Sequence, residues 1–189
     1  MKLNLGCSIN PQKGMINLDI APIKDEKRKI KADIIADLNQ YPYPFKDNSF
    51  DEIIAKMILE HLDDFPKPMK EMYRILKPGG KIIITVPHAN SPGVWLDPMH
   101  KRPGFCYNTF NYFEPDHAAS YSYDFQFWVV KKKIVFGMRQ PWNWIISFIA
   151  NKCSTLYECT FLKMFPCIEL YVELQKPSKW ITVERKREL

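Results

Sequence analysis

Apolar and polar positions alternate along this chain in two different ways, and the change between them divides it. In the first half, short apolar runs at Lys2 to Leu5, Met15 to Ile20, Ala32 to Asp37 ("ADIIAD") and Phe50 to Met57 ("FDEIIAKM") stand between polar or glycine-containing connections. Each has the length and residue types of a strand. From Asp63 to Leu76, the apolar residues Phe65, Met69, Met72, Tyr73 and Leu76 recur at helical spacing, and "KPGG" stops that helix. "KIIITVP" (Lys81 to Pro87) is then a continuous β-branched run, as a strand covered on both faces should be. "YPYPFKDNSF" is a proline-punctuated loop that cannot be helix. Strands alternating with connections, at least one of them a helix, predict an α/β domain with a mainly parallel sheet.

The second half has another pattern. Asn90 to Pro115 is rich in Pro, Gly, Asn and aromatic residues without a sustained period, and so long a loop in a compact domain is usually functional. Phe125 to Gly137 reads as a strand bent at its lysines. Cys167 to Lys176 alternates clearly as a last strand, and Pro141 to Phe165 between them holds an aromatic helix and a second apolar stretch that would cap a site. No internal repeat interrupts this order. It predicts one domain over 1–189: a ligand-binding half over 1–90, a substrate loop and cap over 91–166, and a closing strand over 167–177.

Composition narrows the class without changing that picture. Hydrophobic content of 46% with 25% charged residues is that of a globular protein with a real core. No export leader opens the chain, and the longest apolar stretch, Trp144 to Ala150, falls far short of the roughly 20 residues that span a bilayer. The expectation is a cytoplasmic protein. Five scattered cysteines without a C-x-x-C pair fit neither a disulfide framework nor a zinc cluster, and no His and carboxylate cluster has ligand spacing, so no metal is expected. The net charge of +6 comes largely from Lys24 to Lys31, Lys131 to Lys133 and the "ERKREL" tail, and such runs are more often solvated faces than nucleic-acid sites.

The candidate chemistry begins at Gly6 and Asp19. A glycine after a buried first strand lets backbone approach a ligand, and an acid ending the second strand can accept hydrogen bonds from ribose hydroxyls. Asp37 ends the third strand at the same sheet edge. His61, His88 and His100 are candidate general bases, because neutral imidazole is poised near working pH. Asp97, His100, Lys101 and Arg102 cluster in "DPMHKR", where they could orient a polar substrate or simply hold their own loop. Trp95, Phe105, Tyr107, Phe110, Tyr112 and Phe113 are either ordinary loop packing or an aromatic-lined acceptor pocket. For Trp142, Trp144 and Phe148 the same two readings hold, with a membrane surface or a partner as a third, and a cap of this size could double as a homodimer contact.

Five motifs in order, "LNLGCS", "GMINLDI", "IIADLNQYPYPFKDNSFDEI", "ILEHL" and "MYRILKPGGKIIITVP", closely resemble the class I S-adenosylmethionine-dependent methyltransferases of type 11. The resemblance is to a short branch in which an "LNLGCG" turn is followed almost at once by "GWINLD". It implies a Rossmann-like seven-stranded sheet with an antiparallel last strand, helices on both faces and an aromatic cap insertion. It implies S-adenosylmethionine as cofactor, with Leu5, Gly6, Cys7 and Ser8 along its methionine part and Asp19 and Ile20 at the ribose. Asp37 would lie at the adenine amino group, Leu38 on the ring, and Met57 and Ile58 beneath the sulfonium, while Glu60 and His61 belong to the "LEH" signature. There are three departures from the branch: Ser8 for a glycine, Met15 for a frequent Trp, and the pair Lys56–Met57 for a frequent Ser–His pair. The implied activity is methyl transfer to a small polar acceptor such as a sugar or other metabolite, with Trp95, Asp97, His100, Arg102 and Tyr107 as substrate contacts. The alternatives are an RNA or protein methyltransferase, which "TVPHAN" does not favour, and a non-catalytic S-adenosylmethionine-binding regulator.

Overall fold

The computed structural model describes residues 1–8, 10–20, 32–137 and 142–179. Seven strands, β1 (Lys2–Leu5), β2 (Ile16–Asp19), β3 (Ile34–Ile35), β4 (Phe50–Lys56), β5 (Leu76–Pro87), β6 (Trp128–Val135) and β7 (Glu169–Gln175), form one sheet in the order β3-β2-β1-β4-β5-β7-β6. The first five run parallel, and β7 lies antiparallel between β5 and β6. The helices are α1 (Pro66–Ile75), α2 (Gly93–Leu96), α3 (Asn143–Lys152) and α4 (Ser154–Cys159).

Several boundaries differ from the sequence pattern for identifiable reasons. The third strand keeps only two of its six expected residues, since it is an edge strand with a partner on one side alone. Helix α1 starts at Pro66 rather than Asp63, with Pro at its first turn and the Asp64 carboxylate accepting from Lys67 N–H at 3.0 Å. Strand β5 reaches back to Leu76, and Lys77 to Gly80 loop out between the register pairs Phe50↔Leu76 and Glu52↔Lys81. "KPGG" therefore interrupts a strand as well as stopping a helix. The bend expected at the lysines of β6 falls between Val129 and Lys131. Phe125 and Phe127 leave the strand and enter the core instead. The basic run Lys24 to Lys31 lies outside the described residues, as does the "ERKREL" tail.

The core covers one face of the sheet. Leu3, Leu5, Leu18, Ile53, Ile82, Ile84, Val86, Leu170 and Val172 are completely or almost completely buried there, in register with one another. Met69, Met72 and Ile75 of α1, Ile146 and Ala150 of α3 and Tyr157 of α4 pack into the same cluster. Each side chain of this kind contributes roughly 1.5–3 kcal/mol when fully buried. The other face carries Lys2, Glu52, Lys81, Tyr171 and Glu173.

The aromatic loop resolves the other way from a lined pocket. Phe65 meets Phe105 and Phe110 edge-on at 5.2 and 5.4 Å, Phe113 lies at 5.4 Å, and all three partners are buried. They are packing, worth about 0.5–1.5 kcal/mol per pair beyond burial. The α3 aromatics behave differently, with Trp142, Trp144 and Phe148 all exposed. No helix among the described residues is long and apolar enough to cross a membrane.

Candidate functional site

The first connection, Gly6 to Met15, joins parallel neighbours β1 and β2 without a helix. Its backbone groups must be satisfied by something else, and two asparagines do that. Asn4 and Asn17, both buried, are joined by a 3.0 Å hydrogen bond from Asn4 Nδ2 to Asn17 Oδ1. Asn17 Oδ1 also accepts from Gln12 N–H at 2.7 Å, and Asn17 Nδ2 donates to the carbonyls of Gln12 and Met15. The two polar residues in otherwise apolar strands thus hold the loop that a helix would otherwise replace.

Left-handed backbone recurs in and beside this loop, at Gly14 (φ +80°) and at three further positions. Gly6 has φ +63°, Ser8 +40° and Met57 +49°. At Gly6 a side chain is excluded, since a Cβ would come within 2.6 Å of Ile58. At Ser8 and Met57 a non-glycine residue bears the strain, which concentrates at ligand sites. The Ser8 N–H is turned onto Asp19, donating to its carboxylate at 2.6 Å, and Ile20 N–H donates to the other oxygen at 2.8 Å. Ser8 therefore stands where the chain wants glycine. Ser8→Gly should relieve the αL strain, offset in part by the greater freedom of the unfolded chain, for a net gain of about 0.5–1 kcal/mol. Thermal unfolding should show a rise of about 1–4 °C, and a fall would mean that the hydroxyl carries a contact outweighing the strain.

These residues open onto a cleft of about 480 Å³ at the carboxyl ends of β1, β4 and β5. Gly6, Cys7, Ser8 and Met57 line it as expected from the sequence, together with Asn4, Asn10, Gln12, Lys56, Thr85 and Glu169, which sequence reasoning missed. Lys56 and Thr85 are register partners, a pairing that needs the sheet order to be known. Glu169 comes from the far end of the chain. Burial raises the Glu169 carboxyl, and Lys56 opposes that rise. Burial, followed by the charge of Asp19, raises the Cys7 thiol and keeps it an inert neutral group.

Other predicted residues fall elsewhere. Leu5 and Leu38 are buried in the core, Ile58 fills the space over Gly6, and Ile20 is exposed. Asp37 accepts from Asn39 N–H at 2.8 Å and so closes a turn. Arg102 lies over the rings of Phe65 (4.8 Å) and Phe105 (5.3 Å), a packing position, while Trp95 points out with 76% of its surface exposed. The Tyr107 ring is covered by Lys132 Nζ at 4.1 Å.

The three histidines separate into two groups. His88 is buried at the end of β5, with Nε2 2.9 Å from Glu158 Oε1 and Nδ1 3.1 Å from the Asn90 backbone nitrogen. Burial works against charging this ring, while Cys167 and Glu158 work for it and win, so His88 is held above the ordinary imidazole range. Glu158 Oε1 also accepts from Tyr107 N–H at 2.7 Å. With both nitrogens engaged, His88 ties α4 to the sheet. His61 and His100 instead meet edge to face, 4.8 Å between ring centroids, beside Glu60 and Asp97. Glu60 is 1% exposed, and burial pushes its carboxyl up to about 7. The sequence contains no visible ligand spacing here because His100 arrives from a distant loop.

Residues 7–84 match a family described as a methyltransferase domain. Phosphoethanolamine N-methyltransferase 2 of Caenorhabditis elegans is 43% identical over 44 residues, 23% of this chain and 10% of that protein. A demethylmenaquinone methyltransferase of Listeria welshimeri is 34% identical over 96 residues, 45% of this chain and 39% of that protein. The chain thus spans well under half the length of these curated relatives. Among solved structures, the YcgJ protein of Bacillus subtilis superimposes with a TM-score of 0.56 at 15% identity, covering 95% of this chain and 92% of that one. An S-adenosylmethionine-dependent methyltransferase of Mesorhizobium loti gives 0.55 at 16%, covering 93% and 90%. At such identities the likeness is one of fold.

Proposed function

We propose that this chain is a class I S-adenosylmethionine-dependent methyltransferase, with S-adenosylmethionine as cofactor, and that it transfers a methyl group to a small polar acceptor by in-line displacement. The observation that carries this reading is the cleft at the strand ends, where Gly6, Ser8 and Met57 turn the backbone left-handed; Asp19, at the tip of β2, does not line it but adjoins it through the Ser8 N–H that it binds. Its residues fit the cofactor. Asp19 keeps lone pairs free for ribose hydroxyls after accepting two backbone N–H groups, since a carboxylate offers about four acceptor sites. Lys56 and Glu169 supply opposite charges for a carboxylate and an ammonium, as the amino-acid end of such a ligand presents.

The cofactor supplies an activated methyl on a sulfonium, already a good leaving group. What remains for the protein is to hold an acceptor in line and exclude alternatives, which for oriented reactants is a large share of the barrier. Where the acceptor must also lose a proton, His88 is not available to take it, because both its nitrogens are committed. The matched relatives are named for phosphoethanolamine and demethylmenaquinone, so a small-molecule acceptor is favoured.

Calorimetric titration with S-adenosylmethionine and with its demethylated product tests the first step. One-to-one binding of both is expected, and failure to bind either would remove the reading. A screen of small acceptors with labelled methyl donor then identifies the second substrate. Cofactor binding with no transfer to small molecules, RNA or protein would leave a non-catalytic binding protein.

A further inference from the structure

We propose that Glu60, His61 and His100 form a binding site for a divalent transition-metal ion, with Zn²⁺ as the ion the donor set suits best. One ligand atom from each of the three lies within 4.8 Å of the others. Ligands on a single zinc ion, with bonds of about 2.1 Å in a tetrahedral arrangement, stand roughly 3.4 Å apart. Side-chain rotations closing the cluster by about an ångström would complete the site.

Two independent features indicate a cation there. The first is Glu60: its side chain is buried and its Oε2 has no hydrogen-bond partner. An orphaned buried acceptor costs about 1–3 kcal/mol, more if charged, and a bound cation removes that cost. The second is the orientation of the rings. His61 Nδ1 lies 3.3 Å from the Met99 carbonyl and His100 Nδ1 3.2 Å from the Val94 carbonyl. Each carbonyl fixes the proton on Nδ1 and leaves the Nε2 lone pair free, which is how metal-ligating histidines are held by their outer shell.

The surrounding backbone is organised around the same cluster. Glu60 and His61 lie on the short turn Leu59–His61 directly after β4, and Lys101 N–H donates to the Glu60 carbonyl at 2.8 Å, fastening the His100 loop onto it. Asp97, whose Oδ2 is 3.8 Å from His100 Nε2, adds a carboxylate that can serve as fourth ligand or as a hydrogen-bond partner. Two imidazoles with carboxylate suit Zn²⁺ and its first-row neighbours, whereas Mg²⁺ and Ca²⁺ favour all-oxygen shells. None of the three residues lines the cofactor cleft, so metal binding is expected whether or not the chain transfers methyl groups.

The test is equilibrium metal content together with calorimetry on the chelator-stripped protein. One equivalent of Zn²⁺ should bind, the unfolding temperature should rise with metal concentration, and Co²⁺ should give visible ligand-field absorption without thiolate charge transfer. His100→Ala, with folding checked by circular dichroism, should lose affinity by about 100-fold, and His61→Ala likewise. His88→Ala or a cysteine variant should retain the ion. Absence of one-equivalent binding by Zn²⁺ and Co²⁺ would overturn the proposal. So would binding unchanged in both His61→Ala and His100→Ala, which would place the ion on exposed cysteines such as Cys106, Cys153 or Cys159.

Discussion

Asp19→Ala should weaken S-adenosylmethionine binding by at least about 100-fold while leaving the chain folded. Two losses add in the same direction. In the proposed function the carboxylate at the end of β2 receives the ribose hydroxyls, and hydrogen bonds to a charged acceptor contribute about 1.5–3 kcal/mol each. The same carboxylate also holds the Ser8 and Ile20 N–H groups, and the first of these keeps the loop in its left-handed bend. Asp19→Asn separates the two contributions. It preserves one acceptor oxygen and the shape of the tip, so its affinity should fall between those of wild type and Asp19→Ala. Titration calorimetry on the three proteins is sufficient. Affinity unchanged in Asp19→Ala would mean that the ribose lies elsewhere and that Asp19 only fastens the loop.

The largest stability effect is expected at Glu158. Its Oε1 accepts from both His88 and the Tyr107 N–H, so one atom ties α4, the end of β5 and the aromatic loop together. Glu158→Ala leaves a buried imidazole and a backbone N–H without a partner. Breaking a fully buried pair costs about 3–5 kcal/mol; with the Glu158 side chain 17% exposed, about 2–3 kcal/mol is expected. That corresponds to a drop of about 5–10 °C in unfolding temperature for a chain of this size. Glu158→Gln keeps an oxygen in the same place and removes only the charge, so it should cost about 1 kcal/mol.

The pH dependence distinguishes charge from geometry. His88 is raised to about 9 in the folded protein, so the stability it gains from Glu158 is complete below the unfolded imidazole value near 6.5 and is lost as pH rises through about 9. The Glu158 carboxyl, with burial opposed by His88 and the Tyr107 N–H, is lowered, and its share is lost on acidification. The gap between wild type and Glu158→Gln, measured by denaturant unfolding, should therefore narrow above pH 8. A gap constant from pH 6 to 10 would mean that the pair is a neutral hydrogen bond throughout.

Much of this arrangement is legible from residue order because it depends on local chemistry. The β-branched run Lys81 to Pro87, the spacing of Met69 and Met72, and the alternation after Cys167 encode burial directly. The parallel strands and the antiparallel last one follow, as do Gly6 and Asp19 at the carboxyl edge. Strand ends were less readable. Leu76 continues the helix pattern yet pairs with Phe50, because a cross-strand partner far along the chain outweighs one more turn of helix.

Side-chain partnership was the part the residue order did not carry. His61, His88 and His100 are equivalent as letters, each an imidazole in a polar setting. Folding commits His88 to Glu158 and Asn90, and brings His61 and His100 together against a buried Glu60. Likewise Asn4 and Asn17 look like interruptions in apolar strands until the parallel register sets them side by side to bind the loop. Residue order alone encodes the strands, their burial and the glycine and acid at the carboxyl edge of the sheet, since periodicity and turn residues act over a few positions. Only the tertiary structure decided which polar groups meet. Their pairing depends on strand order and loop return, which bring residues tens of positions apart within hydrogen-bonding distance.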